Sequence, residues 1–522
     1  MDIQALIQKL DKKQTTLLST AILTVATTWL IRRAIKKSKE FKTLGAKEIP
    51  TPKGEYFYLG HLPLLGKYPS LKVTEWHREL GPIFRIKAGV QNWVFIGDPE
   101  AAHEIFVSKG SISSGRPYLT YGNGIHGEGH RGIAFIDYDK SWKNARTASL
   151  NMLSPKSIDG LHEAIERETE YGVNLLITES HKQGSINPVD YTRLTAINFV
   201  LSTVFGIKGI QHIEDPLYKE IVHTMERHVE NISAVGDISA YLPILSFLDV
   251  IFRKERNLKK FVEKEHRPLY RRLTKMARES DQPNLVKKLD EIKDSLDIDE
   301  ENIVILGIEM MIGGVDTVSN ALAFVLAVLC HYPEWQKKMS EEIDAFVEKY
   351  GRLPYYTERE ELPVVVAVLK ETIRYRPSAY LGIPHKATED IVYKDYVIPK
   401  GTVLISNNHT TNNDPNFFPE PEKFKPERYL GDVRSIYASS NGAIQSRENF
   451  SFGWGRRICP GIYLAENEMF NWMCRLLRKC TIEPITSSTG EKIYPELDDY
   501  IDLGAIVTPV PYKVHLAERT NV

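Results

Sequence analysis

The sequence predicts one large domain that is mainly α-helical with a minor β part, preceded by a short apolar segment. From residue 99 to about residue 388, apolar residues recur at three- and four-residue spacing, which is the period of a helix with one buried face. Residues 81–99 and 389–408 instead alternate between apolar and polar, and the first run breaks at Gly89 as a hairpin does. Because no internal repeat and no flexible linker divides residues 71–522, we expect a single domain there.

The composition excludes several classes of protein. The 522 residues include 67 Lys and Arg against 68 Asp and Glu, a net charge of -1, so no basic surface indicates a nucleic-acid partner. Hydrophobic residues make up 42% of the chain, enough for a sizeable core. The four cysteines form no C-x-x-C pair, which argues against a disulfide scaffold or a cysteine-rich zinc site and favours a reducing compartment.

Residues 1–39 are predicted to form a membrane anchor that ends in a basic stop. The run from residue 15 to residue 31 carries no charge over 17 residues, about the shortest length that spans a bilayer. Three basic residues precede this run and six follow it, so the positive-inside rule leaves the rest of the chain in the cytosol. The alternative is an amphipathic helix on the membrane surface. Residues 40–70 include four prolines and are interpreted as a stiff hinge.

One cysteine stands in an unusual setting, the loop SFGWGRRICPG at residues 451–461. Two arginines precede Cys459 and a helical pattern follows it, and both cationic groups and a helix N-terminus lower the pKa of a thiol. A single thiolate with no second protein ligand nearby suits heme iron, because the porphyrin supplies other ligands. The segment fits F-x-x-G-x-R-x-C-x-G and resembles the heme-binding loop of the cytochrome P450 family. The residues that carry this pattern are Phe452, Gly455, Arg457, Cys459 and Gly461.

A second landmark is the E-x-x-R pair of Glu371 and Arg374, followed by the segment FKPERY at residues 424–429. Alone, such a pair is typical of an exposed ion pair on a helix. In the cytochrome P450 family the matching residues form a buried charge network that holds the cysteine loop. The resemblance therefore implies a structural role for Glu371, Arg374 and Arg428. Tyr429 stands where phenylalanine is commoner in the family.

Residues 301–330 predict one helix of about 45 Å, long enough to cross a whole domain. A second membrane span is the alternative, but Glu309, Asp316 and Asn320 would each be costly in lipid. Two adjacent glycines at positions 313 and 314 are unfavourable within a helix, and residues that break a local rule often mark function.

The segment GGVDT at residues 313–317 resembles the A/G-G-x-D/E-T signature of the helix that covers the heme in this family. The resemblance implies that Asp316 and Thr317 are catalytic and deliver protons during oxygen activation, while the small residues leave room for oxygen and substrate. Val318 follows where many family members have threonine or serine.

The resemblance also implies how the cofactor, heme b, is held. Trp142 and Arg146 form a W-x-x-x-R pair on one helical face and match the family's ligands of the heme propionates. His385 falls where the family often has a basic residue directed at a propionate. Cys459 is implied as the axial ligand of the iron. The other residues of the implied heme site are Arg457, Phe452, Gly455 and Gly461.

Two further motifs are weaker. The segment GNGIHG at residues 122–127 matches G-x-G-x-x-G, but it lacks the preceding strand and following helix of a dinucleotide site, so we expect a flexible loop over a substrate pocket. His126 and His130 are separated by glycines, and no third ligand is near them in the sequence. No metal site is therefore expected there.

Over nearly the whole chain, the resemblance implies a heme-thiolate monooxygenase with the cytochrome P450 fold, of the eukaryotic microsomal and fungal type. It implies a single-pass anchor in the endoplasmic reticulum membrane, with contacts to membrane lipid and a catalytic domain on the cytosolic side. The implied reaction inserts one atom of O2 into a lipophilic molecule such as a steroid, a terpenoid or a fatty-acid-like compound. Because the sequence has no flavin or nicotinamide module, electrons would come from a separate NADPH-cytochrome P450 reductase, with cytochrome b5 as a second donor. The alternatives are an isomerase or dehydratase of the same fold and a heme-binding sensor without turnover.

Two further sets of residues follow from the resemblance. The residues expected to line the substrate pocket are Ile308, Ile312, Gly313, Ala379, Leu381 and Ile383. The candidate charges for docking the reductase are Lys140, Lys143, Arg475 and Lys479, although an ordinary solvated face explains each of them equally well.

Overall fold

The computed structural model describes residues 47–232, 237–440, 442–504 and 506–519, so the predicted anchor lies outside the described residues. The contacts divide the chain into a small unit, residues 1–49 with 392–397, and a large unit, residues 50–391 with 398–522. In the described part of the small unit, the Lys47 ammonium lies 2.6 Å from a carboxylate oxygen of Asp395. All of the motifs predicted for the heme site fall in the large unit.

Helices make up most of the large unit, as the sequence predicts. The described helices of eight or more residues are α1 (Pro69–Leu80), α2 (Lys140–Met152), α3 (His162–Gln183), α4 (Val189–Phe205), α5 (Pro216–Ile232), α6 (Lys254–Phe261), α7 (Arg267–Glu279), α8 (Leu285–Ile292), α9 (Glu300–His331), α10 (Pro333–Tyr350), α11 (Pro363–Tyr375) and α12 (Ile462–Lys479). Shorter α-helices are Pro99–Ala102, Gly110–Ser113, Pro155–Asp159, Ile238–Tyr241, Ser246–Ile251, Asn408–Asn412 and Ile436–Ser439.

Tighter and wider helical turns connect these helices. The 3-10 turns are Leu62–Leu65, Pro243–Leu245, Asp294–Leu296, Tyr356–Glu361, Pro426–Arg428, Ile444–Ser446 and Gly455–Arg457. The π-helical turns are His103–Ser108, Thr120–His126 and Val262–His266. Turns of the π type are rare and occur frequently at functional sites.

The β part consists of short strands. They are β1 (Ile83–Ala88), β2 (Gln91–Ile96), β3 (His385–Lys386), β4 (Ile391–Tyr393), β5 (Tyr396–Ile398), β6 (Val403–Ser406), β7 (Cys480–Thr486), β8 (Lys492–Ile493), β9 (Tyr500–Asp502), β10 (Val507–Pro509) and β11 (Val514–Glu518). One sheet has the order β1-β2-β6-β3, and a second has the order β11-β7-β8. β1 and β2 form the predicted antiparallel hairpin, and β6 pairs with β2 in parallel. The remaining strands form the two-stranded ribbons β9-β10 and β4-β5.

The longest described helix, α9, runs through the core of the large unit. It begins after Asp299, whose side chain accepts the N–H of Asn302 and caps the helix. By length and composition α9 could cross a membrane, but 78% of its most apolar stretch is buried inside the protein. It packs against α4, which is itself buried along most of its length. The apolar character of α9 therefore reflects burial in a protein core, as the polar residues within it led us to expect.

Candidate active site

Cys459 lies in a loop that its own backbone closes, just before α12 begins. The N–H of Cys459 donates to the carbonyl of Phe452 at 2.9 Å, and the N–H of Gly461 donates to the Cys459 Sγ at 3.3 Å. Gly455 has φ +56°, and a Cβ there would lie 2.1 Å from the carbonyl oxygen of Phe106, so a side chain does not fit. The loop thus presents one sulfur at the start of a helix, with a backbone N–H already directed at it.

The groups that act on the pKa of this thiol differ in part from those that the sequence suggested. Burial raises the pKa of the Cys459 thiol, while the Gly461 N–H and the Arg146 guanidinium act in the opposite direction. Arg456 contacts a tyrosine hydroxyl, and Arg457 donates to three backbone carbonyls. Neither Arg456 nor Arg457 is among the groups that lower the pKa of this thiol, and Arg146 and the Gly461 N–H act in that direction instead. A metal cation bound at the sulfur would remove the thiol proton, because a coordinating thiol is deprotonated.

Three arginines from separate parts of the chain form a cluster beside the cysteine loop. This arginine cluster consists of Arg116, Arg146 and Arg457, of which the first two are buried and the third is partly buried. Burial lowers the pKa of Arg116 well below its ordinary value and that of Arg457 to about 9, and repulsion from the neighbouring guanidinium groups acts in the same direction. His385 lies beside the cluster, and burial together with Arg116 and Arg457 lowers its pKa as well, so its ring is neutral.

The carboxylates near the arginine cluster do not balance its charge. The Lys386 ammonium binds Asp137 at 2.8 Å, and burial raises the pKa of Glu309 to about 7, so that carboxyl is only partly ionised near neutral pH. A buried group of unbalanced cations is unfavourable unless an anion binds to it. The two propionates of a heme would supply that negative charge, and Cys459 would bind its iron. The residues present therefore fit a heme.

The helix α2 positions two of the predicted heme ligands. Its first turn is capped by Asp139, whose carboxylate accepts the N–H of Trp142 at 2.8 Å. The Arg457 guanidinium lies 4.2 Å from the centroid of the Trp142 ring. The indole N–H of Trp142 donates to a backbone carbonyl at 3.0 Å, and Arg146 donates to the carbonyl of Ile458, next to the cysteine. The W-x-x-x-R spacing thus brings both side chains to the arginine cluster.

His385 and Arg116 connect the cluster to the β part. His385 lies in β3, where its Nδ1 lies 2.9 Å from the carbonyl oxygen of Ser113. Arg116, which belongs to none of the sequence motifs, donates to the carbonyls of Ile383 and Pro384 at 3.0 and 2.7 Å. Arg116 stands alone between a glycine and a proline in a loop, so no local pattern marked it.

Glu371 and Arg374 lie one helical turn apart on α11, and both side chains are fully buried. The guanidinium donates two bonds of 2.8 Å to the carboxylate. One oxygen of Glu371 also accepts the backbone N–H of Lys425 at 2.8 Å and the Nε–H of Arg428 at 3.4 Å. The three residues named from the E-x-x-R and PER segments therefore meet around one carboxylate.

A chain of hydrogen bonds links this charge network to the cysteine loop. Arg374 donates to the backbone carbonyl of Asn412 at 3.0 Å. The side chain of Asn412 in turn donates to the hydroxyl of Ser451 at 2.9 Å and accepts the N–H of Phe450 at 3.0 Å. Ser451 and Phe450 lead directly into the loop that carries Cys459.

The centre of α9 is open on one side. Gly313 is exposed although most of α9 is buried, and a Cβ there would meet no atom within 4 Å. The hydroxyl of Thr317 donates to the carbonyl of Gly313 at 2.6 Å, one turn earlier. Asp316 is directed at α4 instead, where its carboxylate lies 3.4 Å from Arg193 Nε, and Arg193 also lies 3.7 Å from Glu226. Burial raises the pKa of Asp316, and the positive charge of Arg193 partly opposes this rise.

The six predicted pocket residues differ in exposure. Ile308 is fully buried and offers no surface to a substrate, so its assignment to the pocket lining is wrong for this structure. Ile312 is 9% exposed, next to the open Gly313. Beyond α11, Ala379 and Leu381 are partly buried, and Ile383 is 48% exposed.

The four candidate charges for docking the reductase also differ in their exposure and in their partners. Lys140 is 84% exposed, and Lys143 lies over the ring of Tyr138. Arg475 is buried and donates to Glu166 at 2.8 Å, so it is not a surface charge and cannot dock a partner. Lys479 donates to two neighbouring side chains on α3.

The G-x-G-x-x-G motif at residues 122–127 does not form the flexible loop that we expected. Residues Thr120–His126 form a π-helical turn with largely buried side chains. His130 is exposed, with its Nδ1 2.8 Å from the carbonyl of Glu128, but His126 lies beside His228 and His266. The expectation that His126 has no further histidine near it is therefore wrong, because its neighbours come from distant parts of the chain.

Comparisons with known proteins show the family of this chain. The chain matches the family described as Cytochrome P450 over residues 50–516. It is 27% identical to cytochrome P450 monooxygenase 58 of Postia placenta, over 94% of this chain and 91% of that protein. It is 29% identical to cytochrome P450 monooxygenase 226 of the same fungus, over 83% of each chain. It is 28% identical to cytochrome P450 monooxygenase macC of Penicillium terrestre, over 88% of this chain and 89% of that protein. The chain therefore belongs to the cytochrome P450 family of heme-thiolate oxidoreductases, alongside these fungal monooxygenases.

Proposed function

We propose that this cytochrome P450 inserts one atom of O2 into a lipophilic small molecule, with heme b as its cofactor. The observation that carries the proposal is the hydroxyl of Thr317, held on the carbonyl of Gly313 beside the open side of α9. When bound, the heme supplies the binding and activation of O2. Electrons would come from NADPH through a separate NADPH-cytochrome P450 reductase, with cytochrome b5 as a further donor.

The chain's own residues would hold the cofactor from two directions. Cys459 would bind the iron, with the Gly461 N–H stabilising negative charge on the sulfur at 3.3 Å. Arg116, Arg146 and Arg457 would bind the propionates, which would neutralise the unbalanced charge of the arginine cluster. Because Arg116 and Arg146 are buried and Arg457 is partly buried, these ion pairs would be largely shielded from water.

Thr317 and Asp316 would move protons on the other side of the site. The hydroxyl of Thr317 can both donate and accept, so it can hold a proton or a water next to the exposed Gly313. Asp316 is mostly buried with a raised pKa and lies on the α4 side, where Arg193 keeps it in place. A carboxyl with a raised pKa exchanges protons more readily near neutral pH than an ordinary one.

The proposed substrate class rests on the residues expected to line the pocket. Ile312, Ala379 and Leu381 are apolar, which suits a steroid, a terpenoid or a fatty-acid-like compound. Such molecules concentrate in membranes, which agrees with the proposed anchor at residues 1–39. We place the catalytic domain on the cytosolic face of the endoplasmic reticulum, because basic residues flank the uncharged run more heavily on its C-terminal side.

The test is the variant Thr317→Ala, which removes the hydroxyl and keeps the helix. With reductase and substrate supplied, we expect less product and more hydrogen peroxide per NADPH consumed, because a methyl group cannot deliver the proton. Heme content and substrate binding should stay as in the wild type. Ser319→Ala is the matched control, since that hydroxyl lies on α9 but contacts Thr192 on α4.

A wild-type ratio of product to NADPH in Thr317→Ala would contradict the proton-delivery role. Product formed without NADPH and O2 would instead favour an isomerase or dehydratase of the same fold.

A further inference from the structure

A cluster of three histidines lies in the large unit and uses none of the residues of the heme site. His126 ends the π-helical turn Thr120–His126, His228 lies on α5, and His266 ends the π-helical turn Val262–His266 just before α7. Their side chains are buried, with 1%, 1% and 0% of their surface exposed. One ligand nitrogen from each ring lies within 4.8 Å of the other two. Three segments that are distant in the sequence thus place three imidazoles around one point.

Most of these ring nitrogens have no protein partner. Both nitrogens of His126 and both nitrogens of His266 are buried and lack a hydrogen-bond partner among the described residues. Buried polar atoms of this kind are unfavourable and rare in native proteins, so each requires an explanation. Ordinary packing does not provide one, because an aromatic hydrocarbon would fill the same space without the penalty. A bound cation satisfies one nitrogen of each ring directly.

His228 shows the hydrogen bond that metal-binding histidines usually make. Its Nδ1 lies 2.9 Å from the hydroxyl of Tyr121, on the same π-helical turn as His126. A metal-bound histidine commonly donates its second ring nitrogen to such an acceptor, which fixes the orientation of the ring. Tyr121 therefore leaves the Nε2 of His228 for a metal.

The donor set selects the kind of cation. Three imidazole nitrogens suit borderline divalent metals of the d block, whereas calcium and magnesium require oxygen ligands. Zinc binds histidine nitrogen at about 2.0–2.1 Å, so its ligands lie about 3.4 Å apart. The three ring nitrogens lie within 4.8 Å of one another and would have to approach further to bind one zinc ion.

The charges around the cluster are compatible with a cation. Arg267 follows His266, donates to the carbonyl of His126 and pairs with Glu128 and Glu301. Arg131 and Arg271 pair with the same two carboxylates. Burial also lowers the pKa of His126 to about 3 and that of His266 well below its ordinary value. The rings themselves therefore add no positive charge at neutral pH.

We propose that His126, His228 and His266 bind a divalent d-block cation, for which Zn²⁺ is the representative, with water as the fourth ligand. The cation would join the π-helical turn Thr120–His126 to α5 and to the turn that precedes α7. Such a site would stabilise the packing of these three segments, separately from the heme and from the chemistry at Cys459.

The test uses the full-length, heme-loaded protein. After treatment with a chelator and dialysis, the protein is equilibrated with Zn²⁺, and zinc per chain is measured by mass spectrometry of the element. We expect one zinc per chain and a zinc K-edge spectrum with three imidazole ligands. His126→Gln, His228→Gln and His266→Gln should each weaken binding at least tenfold. His130→Ala is the matched control, because His130 is exposed and only four residues from His126.

Heme content and circular dichroism establish that each variant is folded. If a variant does not fold, the melting temperature of the wild type provides the measurement, since zinc at a hundred times its Kd should raise it by about 2–3 °C. The proposal is overturned if the wild type binds no zinc and its melting temperature does not change. It is equally overturned if folded variants of the three histidines retain zinc or if His130→Ala alone loses it.

Discussion

Arg374→Ala tests whether the charge network on α11 holds the fold together. The wild-type guanidinium is fully buried and donates four hydrogen bonds, two of them to Glu371 and the others to the backbone carbonyls of Asn412 and Lys423. Removing it leaves the carboxylate of Glu371 buried, with only the Lys425 N–H and the more distant Arg428 nearby.

The expected loss of stability follows from these contacts. Breaking a buried ion pair by removing one partner costs about 3–5 kcal/mol, because the remaining charge is unpaired in a medium of low polarity. The two carbonyls that lose a donor add about 1 kcal/mol or more. The two donors that remain on Glu371 reduce the total, so we expect a loss of about 4 kcal/mol. Domains are stable by only about 5–15 kcal/mol, so little folded, heme-loaded protein should remain.

The measurement is urea denaturation of the purified full-length protein, followed by tryptophan fluorescence and by heme absorption. Lys182→Ala is the matched control, because Lys182 and Glu179 have the same spacing on α3 but lie 3.5 Å apart, with Lys182 exposed and Glu179 only partly buried. We expect this control to lose less than about 1 kcal/mol. Adding Glu371→Gln to Arg374→Ala should restore part of the loss, because a neutral amide needs no counter-charge.

A variant Arg374→Ala with wild-type heme content and a free energy of unfolding within about 1 kcal/mol of the wild type would refute this reasoning. A double variant that is no more stable than Arg374→Ala would show that lost packing, and not the unpaired charge, causes the effect.

Three further predictions concern the sulfur, the anchor and the pH dependence of stability. Cys459→Ser should abolish the red-shifted absorption band of the reduced carbon-monoxide complex, and an intact band would show that another residue binds the iron. Deleting residues 1–39 should move the protein from the membrane fraction to the soluble fraction with its heme retained, and unchanged sedimentation after a salt wash would contradict a single anchor. Burial raises the pKa of Glu466 from 4.5 to about 7, so the folded state binds more protons than the unfolded state between these values. Stability should therefore fall as the pH rises from about 4.5 to 7. Glu466→Gln should remove about 3 kcal/mol of that fall, measured by denaturation at each pH. If the free energy of unfolding of the variant changes with pH as it does in the wild type, Glu466 is not the source of the fall.

The sequence alone predicts features that depend on neighbouring residues. Helical periodicity and the glycine at position 89 predict a mainly helical domain with an antiparallel hairpin, because the backbone geometry of a helix or a turn is decided within a few residues. The polar residues within α9 identify it from the sequence as a core helix and not a membrane span, since each would be costly in lipid. Short patterns around Cys459 and Glu371 also indicate the family, because their spacing is fixed within one loop or one helical turn.

The tertiary structure decided which groups meet and how water surrounds them. Arg116 and Arg193 carry no local signal, yet one joins the arginine cluster and the other holds Asp316. The three histidines are more than a hundred residues apart at their extremes and become neighbours only when the π-helical turns pack against α5. The pKa of Cys459 is raised and not lowered, because the free energy of a charged group depends on the burial that distant elements impose. Sequence proximity fixes which side chains share a turn, whereas desolvation and long-range contact arise only when the whole chain is packed.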